Sequence, residues 1–324
     1  MTIYSLATVR ALALHTQGLT CRNDAEPSPT PDALEAMVEQ IGCIQIDTLQ
    51  VVHRSQYLTL WSRVGVYNPS DLDRLLDDPR DRRLFEGWQH AACIIPMGEY
   101  RYQMPHQRFL RTHPAGMTEK WLNEPGNREL LKSMLKRVRK QGAVRASDFE
   151  SDGQKRSGWW DWKPAKNALE HLYAWGDLMI AGRVNFQRVY DLTERLLPDW
   201  VDTSEPSAEE RDRFWIERGA RALGICTPQQ TADYTWMKAS RARPHIEQLT
   251  HEGVLVPVRA RLVDGKIHKL VVHCQNLPLL EQAADREIRP ARTTFLSPFD
   301  NMFWARGRDE KFWGFRQRLE AYTP

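Results

Sequence analysis

Residues 223 to 234 read LGICTPQQTADY, and this short stretch indicates how the surrounding fold is built. Gly224 predicts the end of a helix, because glycine adopts the backbone geometry found just beyond a helix C-terminus at little cost. Thr227, Pro228 and Gln230 combine a helix N-cap, a first-position proline and the closing residue of a capping box. A second helix is therefore predicted to begin at Pro228, with only a short extended piece between the two helices.

The flanking sequence extends this pattern on both sides. Ser207 and Glu210 form a capping box for the first helix, and Pro244 is predicted to open a third helix that ends at Gly253. VLVPVRARLVDGKIHKLVVHC, residues 254–274, is predicted to be a β-hairpin that turns at an Asp-Gly pair. Helix, short strand, helix, helix and two-stranded wing together make the winged helix-turn-helix plan.

The same plan recurs earlier in the chain without repetition of the letters. The elements predicted there are a helix that ends at Gly142, a short extension at Ala143 and Val144, a helix that begins with a Ser147 to Glu150 capping box, a helix that begins at Pro164, and a hairpin over 178–192 that turns near Ala181 and Gly182. In this architecture the second helix of the motif usually enters the DNA major groove. The corresponding residues here are 164–175 and 244–252.

The N-terminal third contains two helices with clear start and stop signals, Ser5 to Gly18 and Thr30 to Gly42, and an extended piece around Gln45. Residues 88–96 are predicted to form one further strand that Pro96 terminates. We therefore predict a helix-rich α+β fold of tandem winged helix-turn-helix domains. The predicted boundaries are 1–115 for an N-terminal winged-helix-like domain, 125–200 and 205–276 for two further winged helices, and 277–324 for a C-terminal segment.

The composition is that of a soluble globular protein, with 27% charged and 41% hydrophobic residues in a chain of 324. No apolar run approaches the roughly 20 residues that a membrane helix needs, and the N-terminus does not resemble a secretory signal. The five cysteines lie far apart with no CxxC pair, which favours reduced thiols and a cytoplasmic location.

Most common enzyme classes lack their signature in this sequence. The ten histidines are scattered, with no HExxH or HxH spacing, so no metal or other cofactor is expected. The sequence also contains no GxxxxGK[ST] or GxGxxG loop and no GxSxG serine elbow. These absences argue against NTPases, dehydrogenases, metallonucleases and serine hydrolases of the usual kinds.

The net charge of +3 is distributed unevenly along the chain. Residues 100–166 contain 15 Lys and Arg against 7 Asp and Glu, and this local excess of +8 suggests a surface that binds a polyanion. KSMLKRVRK, residues 132–140, is by itself more simply explained as a solvated helix face.

Other basic residues occur where a nucleic acid could reach them. Three tryptophans at 159, 160 and 162 lead into a helix start with Lys163 and Lys166, a place that favours phosphate groups. The tryptophans suit core packing as well as base stacking. Arg183 and Arg188 on the first predicted hairpin suit a wing that lies along a DNA backbone.

Gln45 and Asp47 stand two residues apart in an extended segment, so their side chains are expected to share one face of a strand. Such a pair alone is most simply explained as the exposed side of an ordinary strand. A carboxylate beside an amide could also hold a water molecule and stabilise an oxocarbenium-like sugar, as hydrolysis of a glycosidic bond requires. A positively charged leaving group, such as N7-alkylated guanine, would then depart without a general acid.

The sequence IGCIQIDTLQVVHRSQYLTLWSRVG (41–65) combines with GWQHAACIIP (87–96) and the long blocks at 157–200 and 296–324 in one recognisable pattern. Together they closely resemble the bacterial winged-helix DNA glycosylases of the AlkZ/YcaQ family, known for unhooking DNA interstrand crosslinks. The resemblance runs from about residue 5 to the end of the chain. The family carries a Gln-Φ-Gln or Gln-Φ-Asp motif, and this chain has the second version, as in the YcaQ branch.

The resemblance implies that Asp47 activates the attacking water and stabilises the sugar cation, while Gln45 orients the water and the lesion. It also implies that the winged helices surround a concave, basic DNA channel. Two departures from the family pattern stand out. Ala91 follows His90 where the family usually has an acidic residue, and family members continue beyond the LEAYTP end, so this chain is expected to be truncated at its C-terminus.

We therefore predict a monofunctional DNA glycosylase for N7-alkylated purines, crosslinked ones included, that acts as a monomer without metal or membrane. Its expected partner is double-stranded DNA with alkylated or crosslinked guanine, and its expected location is the bacterial cytoplasm and nucleoid. The candidate DNA-binding residues are Arg54, Ser55, His90, Lys163, Lys166, Arg183 and Arg188. A non-catalytic winged-helix regulator is the alternative, and a protein-binding adaptor is a third hypothesis. The regulator would bind DNA but would not need Asp47, whereas the adaptor would show no salt-dependent affinity for DNA.

Overall fold

The computed structural model describes residues 2–20, 28–50, 52–149 and 164–318. The helices described are α1 (Leu6–Thr16), α2 (Pro31–Ile41), α3 (Ser55–Val64), α4 (Pro69–Asp77), α5 (Met104–Thr112), α6 (Met117–Asn123), α7 (Asn127–Gln141), α8 (Pro164–Ala174), α9 (Thr193–Leu196), α10 (Ala208–Leu223), α11 (Pro228–Tyr234), α12 (Ala239–His251), α13 (Leu277–Ala284) and α14 (Arg308–Trp313). Short 3₁₀ helices cover Met97–Tyr102, Ala146–Asp148, Cys274–Asn276 and Asn301–Phe303. The helix-rich α+β class predicted from the sequence is confirmed.

The strands described are β1 (Ile3–Tyr4), β2 (Ile44–Gln45), β3 (Leu84–Trp88), β4 (Ala92–Pro96), β5 (Val144–Arg145), β6 (Leu178–Val184), β7 (Gln187–Leu192), β8 (Ile225–Cys226), β9 (Leu255–Arg261) and β10 (Ile267–His273). They form three small sheets, with strand orders β1-β9-β10-β8, β2-β4-β3 and β5-β7-β6. The pairings are antiparallel in the β8–β10, β9–β10, β2–β4, β5–β7 and β6–β7 pairs, whereas β1 runs parallel to β9. No helix in the described ranges is both long enough and apolar enough to cross a membrane.

The chain divides into two compact units. The first unit comprises Met1–Leu72, Gly87–Pro96 and Ser207–Pro324, and the second comprises Asp73–Glu86 and Met97–Pro206. The two units are groups of residues in mutual contact, and they are not defined by the repeat pattern of the sequence. They therefore do not test the four domain segments expected from the sequence, which stay predictions.

The first unit is assembled from both ends of the sequence. β1 continues the sheet of the second predicted wing by pairing with β9, where Ile3 lies opposite Arg259. Behind this sheet, apolar residues of α1 form a core with residues of the sheet and of α13 and α14. The buried members are Val9, Leu12, Ala13, Ile225, Val258, Ala260, Leu262, Leu270, Val272, Leu280, Ala283 and Phe312.

The second unit has its own core, built from α7, α8 and the hairpin of β6 and β7. The apolar face of α8, namely Ala168, Leu169, Leu172 and Tyr173, is buried in it. Leu131, Met134 and Val138 contribute the facing side of α7. Each of the two helices therefore buries one apolar face in this core.

Local capping signals predicted from the sequence are confirmed. The side-chain oxygens of Ser5, Thr30, Ser207 and Thr227 each accept a hydrogen bond from a backbone N–H in the first turn of the next helix. The Thr227 box is closed by Gln230, whose Oε1 accepts from the backbone nitrogen of Thr227 at 2.9 Å. These bonds satisfy N–H groups that a helix start otherwise leaves without partners.

One turn prediction and one helix-start prediction were wrong. The first hairpin turns at Asn185 and Phe186, which both adopt positive φ angles, while Gly182 lies inside β6 next to a bulge. Pro244 lies within α12, which begins five residues earlier at Ala239. A proline inside a helix removes one backbone hydrogen bond and can be accommodated in this way where packing holds the helix.

The prediction of one strand over 88–96 was wrong in its extent, although a strand does end at Pro96. The chain instead forms a hairpin, in which β3 ends at Trp88 and β4 begins at Ala92. The backbone N–H of Gln89 donates to the carbonyl of Ala91 at 2.9 Å and closes the turn. His90 therefore lies at the tip of this hairpin. Of the predicted Ser147 to Glu150 capping box, Glu150 lies outside the described residues, and Ser147 lies in a 3₁₀ turn.

Candidate active site

The Gln45 motif begins on β2, the edge strand of the sheet β2-β4-β3. Gln45 is opposite Cys93 of β4, and the backbone N–H of Ile46 donates to the carbonyl of Ala92 at 2.8 Å, so the ladder continues one residue past β2. Ile44 and Ile46 are buried, whereas Gln45 and Asp47 are both only half-buried. This alternation is the one predicted from the sequence, and it leaves the amide and the carboxylate accessible.

Asp47 is held by a turn immediately after this strand. Its Oδ1 accepts a hydrogen bond from the backbone N–H of Leu49 at 2.8 Å. An aspartate that bonds the amide two residues ahead forms an Asx turn, which restricts the orientation of the carboxylate. Among the described residues, Oδ2 accepts no hydrogen bond, so this oxygen is available to a water molecule or a sugar cation.

Ser55 connects the motif strand to the start of α3. Its hydroxyl donates to the carbonyl oxygen of Gln45 at 2.9 Å, and the residue is 3% exposed. This bond fastens the backbone of Gln45 to the start of α3, and the DNA contact predicted for Ser55 stays a prediction. Arg54, the N-cap residue of α3, is half-buried, and the ring of His53 packs edge-on against Tyr57 at 4.6 Å.

A buried polar network supports the chain just before the motif. Nδ2 of Asn301 donates to the carbonyl of Cys43 at 2.7 Å and to the hydroxyl of Tyr234 at 2.8 Å, and that hydroxyl donates to the carbonyl of Ile41. Both side chains are almost completely buried. Sequence reasoning missed these two residues as supports, since nothing local shows that positions so far apart meet.

An ion pair next to Asn301 anchors the same segment. The carboxylate of Asp300 accepts two hydrogen bonds from the guanidinium of Arg63, at 2.7 and 2.9 Å, and both side chains are completely buried. Arg63 also donates to Oε1 of Gln17 at 3.2 Å. A paired charge of this kind is tolerated inside a protein because each partner satisfies the other.

His90 lies in a stack of three aromatic rings. The centroid of its imidazole ring lies 4.5 Å from that of Trp304, with an angle of 6° between the ring planes. It lies 5.1 Å from that of Trp236, with an angle of 15°. Burial lowers the pKa of His90 below its usual value, although the backbone carbonyls of Tyr234 and Asp233 act in the opposite direction. The imidazole is therefore neutral near neutral pH, and it enters the stack as an uncharged ring.

An apolar groove of about 730 Å³ borders the motif. Leu49 and Ser55, which bond to Asp47 and Gln45, both line it. The remaining lining residues are Val52, His53, Tyr57, Leu58, Trp61, Val66, Tyr67, Pro69, Phe295, Leu296, Ser297, Pro298, Phe299 and Arg318. Its volume lies within the range of small-molecule sites, so it has room for a group larger than a single base.

Arg183 and Arg188, two of the predicted DNA-binding residues, make ion pairs within the second unit. Arg183 binds both carboxylate oxygens of Glu86, at 2.5 and 2.7 Å, and Glu86 is 6% exposed. Arg188 binds Glu170 at 2.9 and 3.1 Å. Burial opposes the charge of Arg188, but the neighbouring Glu170 carboxylate outweighs it and raises the pKa of Arg188.

The remaining candidates give a mixed result. Lys166 is half-buried in the first turn of α8, and Lys163 lies outside the described residues, as do the tryptophans at 159, 160 and 162. DNA binding by these side chains stays a prediction. Across the described ranges, no group of three histidine, cysteine, aspartate or glutamate side chains is arranged to hold a metal ion.

Comparison with known proteins identifies the family of this chain. A family model described as "DNA glycosylase AlkZ-like" matches residues 38–324. Among solved structures, the Streptomyces sahachiroi DNA glycosylase AlkZ is similar, with a TM-score of 0.61 and 15% sequence identity over 93% of this chain and 77% of that chain. The structural likeness shows the fold, and the family match covers the motif strand, α3 and the Asn301 segment. The chain belongs to the AlkZ-like DNA glycosylase family and is a DNA N-glycosylase.

Proposed function

We propose that this enzyme hydrolyses the N-glycosidic bond of N7-alkylated purines in double-stranded DNA, including the purines joined in interstrand crosslinks. The observation that carries the proposal is the pairing of Gln45 with Asp47, whose carboxylate is oriented by Leu49 and has one oxygen without a partner among the described residues. Such a pair can hold and activate a water molecule and stabilise positive charge on the sugar, and the hydrolysis of a cationic nucleoside needs both.

Asp47 has two roles in this mechanism. Its carboxylate accepts the proton of the attacking water, and its negative charge stabilises the oxocarbenium-like sugar that forms as the base leaves. The side-chain amide of Gln45 holds the water beside Asp47. Because an N7-alkylated purine already carries a positive charge, it leaves without protonation, and the reaction needs no separate general acid.

The reaction is proposed to stop at base release. A glycosylase that also cleaves the strand commonly uses a lysine to attack the sugar and form a Schiff base. The sequence from Cys43 to Tyr57 contains no lysine. Hydrolysis by water is therefore the proposed route, and a borohydride-stable protein–DNA adduct would contradict it.

The groove beside the motif supports the proposal that bulky lesions are substrates. A crosslinked base cannot be turned fully out of the duplex into a closed pocket, since it stays attached to the opposite strand. An accessible motif strand with a groove of about 730 Å³ at its side suits a base that carries a large substituent. The Gln-Φ-Asp form of the motif is consistent with the YcaQ branch of the family.

We further propose that the repeated helix and hairpin arrangements are winged helices that form a basic DNA channel. α7 carries Lys132, Lys136, Arg139 and Lys140 on its exposed side. Arg54, Ser55, His90, Lys163, Lys166, Arg183 and Arg188 are the proposed DNA-binding residues, and the protein is proposed to act as a monomer.

The first test uses a duplex with one N7-methylguanine and a second duplex with an N7-linked nitrogen-mustard crosslink. Each duplex is incubated with the enzyme, treated with mild alkali and resolved on a denaturing gel. We expect wild type to produce alkali-labile sites and to unhook the crosslink. Asp47→Asn should be slower by at least about 100-fold, because asparagine keeps an acceptor for the Leu49 amide but has no charge.

Asp78→Asn is the matched control, because Oδ1 of Asp78 accepts from the backbone N–H of Arg80 at 2.9 Å in the same kind of turn. This variant should retain full activity. Unimpaired turnover by Asp47→Asn would overturn the assignment of the motif. Release of N7-methylguanine without unhooking would restrict the substrate to single-base lesions. Salt-sensitive DNA binding without any base release would favour the non-catalytic regulator.

A further inference from the structure

Trp236 is the exposed end of the aromatic stack that includes His90. At the other end, Trp304 is 7% exposed, and its Nε1 donates to the carbonyl oxygen of Phe299 at 3.1 Å. The imidazole of His90 lies between the two indoles and nearly parallel to both. Trp236 is 63% exposed. The stack is therefore anchored inside the first unit and presents one indole to solvent.

The backbone of Trp236 adopts a conformation that is unfavourable for a bulky residue. Its φ angle is +56°, in the left-handed region that glycine prefers. The position follows the end of α11, where the N–H of Trp236 donates to Asp233 and the N–H of Met237 donates to Ala232. Glycine would fit this place without strain. A strained residue with a mostly exposed apolar ring is poorly explained by stability and points to function.

Hydrogen bonds tie both sides of the stack to the motif strand. His90 precedes Ala92 by two residues, and the carbonyl of Ala92 accepts from Ile46 of the motif. On the other side, Trp236 follows Tyr234 by two residues, and the hydroxyl of Tyr234 bonds to the carbonyl of Ile41. The exposed indole is thus carried by the segments that position Gln45 and Asp47.

We propose that Trp236 stacks on the alkylated, positively charged purine and positions it for hydrolysis. This inference rests on the proposed function and adds a residue that recognises the lesion. An indole face stacks on any base, and its negative electrostatic face also attracts a cation. The ring would take the place of the neighbouring base on one side of the lesion, so a crosslinked purine need not leave the duplex. Trp236 is a positioning residue, and its loss should weaken binding of the charged base.

The variants separate recognition from folding. Trp236→Gly removes the ring and also relieves the positive φ angle, which offsets the lost contact with His90 and the greater freedom of the unfolded chain, so its unfolding temperature should stay close to that of wild type. Trp236→Phe retains an aromatic face and should behave like wild type within about threefold. Trp200→Ala is the control, because Trp200 is 59% exposed in a turn of the second unit.

Binding is measured by fluorescence anisotropy on two duplexes that the enzyme cannot cleave. One contains 2′-fluoro-arabino-N7-methylguanosine, with a charged base, and the other contains 2′-fluoro-arabinoguanosine at the same position. We expect Trp236→Gly to bind the charged duplex about tenfold more weakly and the neutral duplex within about threefold of wild type. Trp200→Ala should bind both duplexes as wild type does.

Two results would overturn this inference. One is unchanged affinity of Trp236→Gly for the charged duplex, and the other is an equal loss for both duplexes. Failure of the proposed function would look different, since wild type would then release no base from cleavable N7-methylguanine DNA. The binding assay involves no cleavage, so the two failures are distinguishable.

Discussion

The hydroxyl of Ser55 donates a hydrogen bond of 2.9 Å to the backbone carbonyl of Gln45, and it thereby fastens the start of α3 to the motif strand. Ser55 is almost completely buried. The serine that follows the motif in the sequence therefore acts on the motif from within the protein.

Ser55→Ala should reduce turnover more than stability. The lost hydrogen bond is worth about 1 kcal/mol of unfolding free energy, and the freed strand should slow base release by about tenfold. Ser62→Ala is the control, because Ser62 Oγ makes a bond of 2.9 Å to the backbone carbonyl of Thr59 within the same helix. It should cost similar stability with full turnover. If Ser55→Ala instead weakens binding to undamaged DNA and leaves turnover of bound substrate unchanged, Ser55 contacts the DNA.

Asp300→Asn should destabilise the first unit by about 3 kcal/mol, measured by chemical denaturation. The substitution leaves the buried guanidinium of Arg63 without a counter-charge, and an uncompensated buried charge is costly. Asp81→Asn, in the partly exposed pair with Arg74, should cost less than about 1 kcal/mol. Equal losses of unfolding free energy in the two variants would show that burial does not increase the contribution of the Arg63–Asp300 pair to stability.

Arg183→Ala should lower stability by about 2 kcal/mol, because buried Glu86 would lose its double hydrogen bond and keep only the longer ion pair with Arg188 at 3.5 Å. Its affinity for undamaged DNA should also fall, because Arg183 is one of the proposed DNA-binding residues. Arg259→Ala, on the exposed side of β9, should instead leave stability unchanged. A salt-dependence slope that falls by about one on replacing Arg183 would assign it a phosphate contact as well.

His90 should make the stability of the protein depend on pH. Its pKa is lowered in the folded state, chiefly by burial, so the unfolded chain takes up this proton first as the pH falls. The stabilising contribution is complete above the usual value of 6.5 and is lost as the pH falls through the lowered value. His90→Phe keeps an aromatic ring, and its unfolding temperature should decline less than that of wild type between about pH 7 and pH 5. Parallel declines would contradict this account.

Helix starts were predictable because their signals are local. Thr30 followed by Pro31, and Thr227 followed by Pro228, place an acceptor and a fixed backbone angle at adjacent positions. Pro244 misled the prediction for the opposite reason. Lys238, the N-cap residue of α12, makes no side-chain capping bond, so the true start of this helix has no signal that the sequence alone displays.

The first hairpin shows a second limit of local patterns. Ala181 and Gly182 suggested a turn, yet Gly182 lies within β6, where a bulge shifts the register, and the carboxyl of Asp77 lies about 3 Å from the position of a Cβ atom. The actual turn uses Asn185 and Phe186, both with positive φ angles. A phenylalanine in that conformation is uncommon, and no single-sequence rule predicts it.

The sequence alone determined the alternation that exposes Gln45 and Asp47, the helix-rich class and the resemblance to the glycosylase family, since strand periodicity and capping depend on neighbouring residues. Only the tertiary structure decided that Asn301 and Tyr234 support the motif and that Trp236 and Trp304 enclose His90. These contacts join residues that lie far apart in the chain. Their formation depends on burial and packing of the whole first unit, which no local pattern of residues encodes.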